Sequence, residues 1–209
     1  MDKTKIAVDV FNKYANSYQD KFMNVDLYGD TFDTFCKAIV KQDAELLELA
    51  CGPGNITKYL LNKRPDFKIL GTDLAPNMIE LAQVNNPTAQ FKLMDCRNTL
   101  SLQKKYDAIM CGFCLPYLSK EETQQLIADV YKVLNPEGVL YISTMEDDYS
   151  RSGLRKGSGG EEIFMHYYQA TDLKNYLQAH HFKIIDLQRK QSIMTDGTVV
   201  IDLVIIAQR

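Results

Sequence analysis

Glu48-Leu49-Ala50-Cys51-Gly52-Pro53-Gly54-Asn55 is the stretch on which the fold turns. Ahead of it, Leu46-Leu47-Glu48-Leu49-Ala50 reads as a short, mostly apolar strand. After it, Ile56 to Asn62 reads as a helix that stops near Pro65. Gly52 and Gly54 lack Cβ atoms, so the chain can turn sharply and a ligand can come close to the backbone. A helix beginning near Asn55 offers unpaired backbone N–H groups. Ligands of open α/β sheets bind at the carboxyl ends of the strands, which makes this loop a candidate site.

Outward from that loop, strands and helices alternate. Phe67 to Thr72 is a second strand, and Pro76 to Asn85 is a helix with proline suited to its first turn. Gln90 to Met94 and Tyr106 to Cys111 are the third and fourth strands. Lys120 to Leu134 is an amphipathic helix, and Ser119 with Glu122 forms a capping-box signature at its start. Asn135-Pro136-Glu137-Gly138 is a turn before a fifth strand, Val139 to Thr144. Short apolar strands separated by helices predict a parallel sheet covered on both faces. A helix over 171–181 precedes two more strands, Phe182 to Gln188 and Val199 to Ala207. They are joined through Thr195-Asp196-Gly197-Thr198, whose Asp-Gly pair signals a hairpin, so an antiparallel pair should close one edge.

No strand pattern precedes residue 45. Ile6, Val10, Tyr14, Tyr18 and Phe22 recur at a four-residue spacing over 4–23, and Phe32, Phe35, Cys36 and Ile39 share one side over 29–40. Both stretches are expected to be helices. Gly153 to Gly160 is glycine-rich and is expected to be a flexible loop or lid.

The 209 residues suit one ordinary domain, and 45% hydrophobic with 24% charged residues describes a globular chain with a core. A net charge of −3 gives no general attraction to nucleic acid or to an anionic membrane. No apolar run of the roughly 18 residues needed to span a bilayer occurs, and the first residues lack the apolar stretch of a secretory signal. Five cysteines form no disulfide framework, so a reduced, cytoplasmic setting is expected. Cys111-Gly112-Phe113-Cys114 is a C-x-x-C without the second pair a zinc site needs, and no metal is expected.

Asp73 ends the second strand, 19 residues after Gly54. An acid there is placed to accept both hydroxyls of a ribose, which fits any adenosine cofactor. Two details narrow the choice. The third glycine of the dinucleotide fingerprint G-x-G-x-x-G is absent, because position 57 is Thr. Glu48, just ahead of the loop, would repel a pyrophosphate and favour a ligand that carries an ammonium group.

With those residues in place, Glu48 to Asn55 resembles the first motif of class I S-adenosylmethionine-dependent methyltransferases. Asp73-Leu74-Ala75-Pro76-Asn77-Met78 resembles their second motif, Met94-Asp95-Cys96 the third, and Tyr106 to Cys111 the fourth. Leu134 to Leu140 resembles the turn before the fifth strand. The resemblance runs in order over about residues 10–209. It implies a Rossmann-like, doubly wound α/β fold with a seven-stranded, mostly parallel sheet in the order 3-2-1-4-5-7-6. The seventh strand would be antiparallel, with helices on both faces and an N-terminal helical extension. Residues 1–209 would form a single domain, with 1–43 as a helical lid and 146–170 as an insertion toward the acceptor.

The family also implies roles. Glu48 and the loop Ala50, Cys51, Gly52 and Gly54 would hold the methionine part of S-adenosyl-L-methionine. Asp73 would bind the ribose, with Leu74 and Met78 beside the adenine. Asp95 would meet the adenine amino group, with the Cys96 backbone adjacent. Cys111 would begin the loop facing the sulfonium, and Tyr14 and Tyr18 resemble aromatic residues of the lid helix. The product would be S-adenosyl-L-homocysteine.

Methyl transfer is an in-line displacement that needs mainly close positioning, with a general base only if the acceptor must lose a proton. Acceptor-side candidates are Phe113, Tyr117, Glu146, His166, Tyr167 and Tyr168, of which Tyr117 and His166 are singled out as catalytic. The expected partner is a small-molecule methyl acceptor, with no nucleic acid and no membrane, for a monomer or homodimer. Three rival readings stand beside this one: a non-catalytic S-adenosylmethionine-binding protein, an enzyme using the cofactor for other chemistry, and a nicotinamide-dependent oxidoreductase.

Overall fold

The computed structural model describes residues 3–156, 160–193 and 197–209. Two helices, α1 (Lys3–Lys13) and α2 (Ala15–Phe22), open the chain, followed by α3 (Gly29–Ala38). The alternating part then runs β1 (Glu45–Leu49), α4 (Asn55–Lys63), β2 (Lys68–Asp73), α5 (Pro76–Asn85), β3 (Gln90–Leu93) and β4 (Tyr106–Cys111). It continues through α6 (Lys120–Val133), β5 (Leu134–Met145), the short strands β6 (Gly153–Lys156) and β7 (Glu162–Met165), α7 (Ala170–Ala179), β8 (Lys183–Ile193) and β9 (Val199–Gln208).

Seven strands form one sheet in the order β3-β2-β1-β4-β5-β9-β8. The first five are mutually parallel, and β9 is antiparallel to both β5 and β8. Counting only this sheet, the order is 3-2-1-4-5-7-6, as the motifs imply. Side chains of a strand alternate between faces. Leu47, Leu49, Ile109, Leu140 and Leu203 pack with α6 and α7, whereas Leu46, Ala108, Tyr141 and Val204 pack with Phe32 and Phe35 of α3 and Leu60 of α4. Both faces are thus covered, and the strands read as continuous apolar runs.

The capping box of α6 is formed: the Ser119 backbone N–H donates to Glu122 Oε2 at 2.8 Å, and the Ser119 hydroxyl accepts from the Glu122 N–H.

Three expectations are modified. The pattern over 4–23 is not one helix, because the backbone leaves the helical region at Tyr14 (φ −106°, ψ 22°). The Asn135 to Gly138 turn is absorbed into β5 as a bulge. Tyr106 pairs with Leu134 but Ala108 pairs with Val139, and the Asn135 side chain ties the bulge to Asp107 at 2.8 Å. Gly153–Lys156 is not loop but strand, paired antiparallel with β7. Residues 157–159 of that stretch, and Thr195 and Asp196 of the hairpin turn, lie outside the described residues.

Candidate functional site

The carboxyl ends of β1, β2 and β4 and helices α1 and α2 enclose one cavity. Its floor begins at the loop after β1. Gly52 (φ +52°) turns its N–H onto Asp73 Oδ2 at 2.9 Å, and the Ala75 N–H donates to Asp73 Oδ1 at 2.8 Å. The carboxylate is thereby fixed at the end of β2, lining the cavity. Burial pushes its pKa up, and those backbone N–H groups oppose the rise.

Glu48 lies on the α4 face of β1 with 1% of its surface exposed, and it accepts a hydrogen bond from the Thr57 hydroxyl at 2.5 Å. Burial pushes its pKa up to about 8, the Thr57 bond acting against this and the Asp73 charge with it. Thr57 occupies the position where a dinucleotide fingerprint has glycine, and it is the partner of the acid. Gly54 is held in the left-handed region (φ +76°), and a Cβ there would stand 2.4 Å from Asn86 Nδ2, so no larger residue fits this helix start without rearrangement.

Asp95 lines the opposite wall. Its Oδ1 accepts from the Arg97 N–H at 2.8 Å, and the Arg97 guanidinium grips both oxygens, with Nη2 2.6 Å from Oδ2. Arg97 also reaches Glu122 Oε1 at 2.6 Å, so the capping acid of α6 joins the same network. Burial alone would raise the Asp95 pKa, but the Arg97 contacts outweigh it and hold the carboxyl below its ordinary value. Leu74 and Met78 line the cavity between these acids, with Ala50 and Cys96.

Aromatic rings close the rest. Phe11 meets Tyr18 edge-on at 5.7 Å and Tyr117 at 5.1 Å, and all three line the cavity with Phe113. Phe113 holds a positive φ of 53°, as does Ala50, at the ends of two adjacent central strands. The Phe113 N–H is anchored on Ser143 Oγ at 3.0 Å. Non-glycine residues in this region carry strain of the kind found at ligand sites.

Of the residues singled out from sequence, Tyr18, Ala50, Gly52, Asp73, Leu74, Met78, Asp95, Cys96 and Tyr117 line this cavity. Glu48, Cys51, Gly54 and Cys111 do not line it; Cys51 packs with Ile79 and Ala82, and Cys111 is in the core. Tyr14 does not line it, and its hydroxyl donates to Glu161 at 2.5 Å. His166 does not line it either: its ring stacks on Tyr149, its Nδ1 is 3.1 Å from the Tyr149 hydroxyl, and its backbone N–H donates to the Pro116 carbonyl. Burial, then the Lys3 charge, lower the His166 pKa. Glu146 is paired with Arg189, the Tyr167 N–H bonds Ser152, and the buried Tyr168 hydroxyl donates to Leu118.

The face of α1 that meets the cavity is Thr4, Ala7, Val8 and Phe11 rather than Ile6 and Val10. Thr57 and Arg97 had no pattern to mark them, since each acts through the acid it holds, Glu48 or Asp95. Among the described residues no group of three His, Cys, Asp or Glu side chains could hold a metal ion, and no helix is long and apolar enough to cross a membrane.

Residues 46–138 match the family model described as a methyltransferase domain. The chain is 27% identical over 143 residues to a methyltransferase of Invertebrate iridescent virus 6, an alignment covering 66% of this chain and 53% of that protein. It is 35% identical over 99 residues to trans-aconitate 2-methyltransferase of Variovorax paradoxus, covering 47% and 38%. The structure of magnesium protoporphyrin IX methyltransferase from Synechocystis with bound S-adenosylmethionine superposes with a TM-score of 0.73 at 17% identity, covering 100% of this chain and 98% of that one. Residues 46–138 thus match a methyltransferase domain, and the whole chain shares its fold with that S-adenosylmethionine-bound structure. It spans between 38% and 53% of the length of these two curated relatives.

Proposed function

We propose that the protein transfers a methyl group from S-adenosyl-L-methionine to a small-molecule acceptor. The observation that carries this reading is the pair of acids at the ends of β1 and β2. Glu48 is buried without a cationic partner among the described residues, and Asp73 is fixed by two backbone N–H groups beside it. This set fits a ligand with an ammonium group and a ribose. It does not suit a pyrophosphate, which two neighbouring carboxylates would repel.

Glu48 and the Gly52 to Gly54 backbone would hold the methionine part, Asp73 the ribose, Leu74 and Met78 the flanks of the adenine, and Asp95 with the Cys96 backbone its polar edge. When bound, the cofactor supplies an activated methyl group on a good leaving group. The protein contributes position, a dry aromatic wall and the Tyr117 hydroxyl on the acceptor side. His166 serves at one remove, through the segment that carries Pro116 and Tyr117. The relatives and fold neighbours named above act on a tricarboxylate and on a porphyrin, so the fold leaves the acceptor open.

Calorimetric titration with S-adenosylmethionine, S-adenosylhomocysteine and NADH, on the wild type and on Asp73→Ala, tests the reading. Binding of the first two and not the third, lost in the variant, is the expected result. Binding of NADH alone would overturn it in favour of hydride transfer.

A further inference from the structure

The acceptor half of the cavity is chemically narrow. Its walls are the rings of Phe11, Tyr18, Phe113 and Tyr117, and among the described residues the charged ones lining the cavity are Asp73 and Asp95. Among the described residues no Lys, Arg or His lines it. Asp95 is met by Arg97, while no side-chain cation pairs with Asp73 or Glu48. A bound S-adenosylmethionine carries an ammonium and a sulfonium against one carboxylate. Its single net positive charge is met by those acids, and none is left over for an anionic acceptor. A carboxylate or phosphate on the acceptor would be buried without a partner, which is strongly unfavourable.

The lining is equally poor in bases. Its protic side chains include two phenols and two thiols. Burial pushes the Tyr18 phenol up to about 12 and the Tyr117 phenol higher still. The Cys96 and Cys114 sulfurs lie 3.4 Å apart, and their mutual hydrogen bond and burial hold the Cys96 thiol well above its ordinary value. Asp73 is engaged by backbone N–H groups and Asp95 by a guanidinium. The carboxylate beyond them, Asp202, accepts from the Tyr28 hydroxyl at 2.7 Å, and neither residue lines the cavity. A hydroxyl nucleophile seated here would have no group to take its proton.

We propose, on the methyltransferase reading, that the acceptor is a flat, uncharged molecule whose nucleophile is a neutral nitrogen, seated among Phe11, Phe113 and Tyr117. The nitrogen lone pair forms the new bond to the methyl carbon as the carbon–sulfur bond breaks. The electrons of that bond go to sulfur, which becomes a neutral thioether, and the positive charge passes to nitrogen. A nitrogen that carried hydrogen then releases it to water. The ring faces stabilise the cation that develops on nitrogen and need no base to do so.

Isoquinoline, 2-naphthol and 2-naphthoate share a flat bicyclic frame and present, in turn, a neutral nitrogen, a neutral hydroxyl and a carboxylate. On protein loaded with S-adenosylhomocysteine, at a pH where isoquinoline is uncharged, isoquinoline is expected to bind at least about tenfold more tightly than 2-naphthoate. With S-adenosylmethionine it should be methylated faster than either rival, read by mass and by S-adenosylhomocysteine release. Val8→Lys adds a cation to the lining and should narrow the binding gap. Failure of isoquinoline to bind, binding of 2-naphthoate at equal strength, or faster methylation of 2-naphthol would overturn the proposal. Failure of S-adenosylhomocysteine itself to bind would instead overturn the methyltransferase reading.

Discussion

The Thr57 hydroxyl donates to Oε2 of Glu48 at 2.5 Å, so a residue in the first turn of α4 holds an acid buried on β1. The pair explains how a carboxyl with 1% exposure is tolerated beside Asp73. Its hydrogen bond offsets part of the desolvation, and the remainder appears as the raised pKa.

Glu48 should therefore make stability depend on pH. Its folded pKa of about 8 exceeds the ordinary 4.5, so between these values the native state binds more protons than the unfolded one. Stability from this group is full below the lower value and is lost as pH rises through the upper one. Glu48→Gln lacks the effect. Its melting temperature relative to wild type should rise from pH 5 to pH 8, by the equivalent of a few kcal/mol at most. Melts in a pH series would show it, and a constant gap would refute it. On the proposed cofactor role, the same variant loses S-adenosylmethionine binding, and wild-type binding at neutral pH releases a proton, seen as a buffer-dependent heat.

Gly52 and Gly54 should respond differently to alanine. At Gly54 a Cβ meets Asn86 at 2.4 Å and Ala82 at 3.3 Å in a left-handed backbone, so Gly54→Ala should cost about 2–4 kcal/mol. At Gly52 the nearest atom to a Cβ is on Tyr18 at 3.9 Å, so the cost is the backbone alone, about 1–2 kcal/mol. That Cβ would crowd the cavity floor, and cofactor binding should fall more than stability. Denaturant melts beside cofactor titrations separate the two.

Arg97 should matter to the cofactor through Asp95. Arg97→Ala frees a part-buried carboxylate and breaks the link to Glu122, for a loss of about 1–3 kcal/mol. The dissociation constant for S-adenosylmethionine should rise about tenfold. In a double-mutant cycle with Asp95→Asn the two effects should not add. Full additivity would show that Arg97 acts elsewhere.

His166→Ala removes a ring outside the cavity and leaves the backbone bond from residue 166 to Pro116 in place. Cofactor affinity should be unchanged, and the shape of the rate profile between pH 5 and pH 8 should match wild type. Loss of an acid limb in that profile would return His166 to a role as base.

Reading the strands and helices from the sequence succeeded where burial is two-sided and local signals agree. Leu46 to Leu49, the glycines after them, Pro76 at the start of α5 and the Ser119–Glu122 box each act within a few residues of themselves. The N-terminal helices were read less well. A four-residue spacing joined Ile6 to Phe22 as one face, but the helix breaks at Tyr14, and which face of α1 turns inward depends on packing over the cavity.

The sequence by itself determined the order of the seven sheet strands and the helices between them, the glycine loop after β1 and the acids at the ends of β1 and β2, because periodicity and turn chemistry are local. Only the tertiary structure decided that Thr57 partners Glu48, that Arg97 grips Asp95, that His166 stands outside the cavity, and that aromatic rings, with no cation among the described residues, line it. Thr57 lies nine residues from Glu48 and Arg97 two from Asp95, but which side chain turns onto which acid, and what faces the cavity, depends on reach in three dimensions and carries no signature in residue spacing.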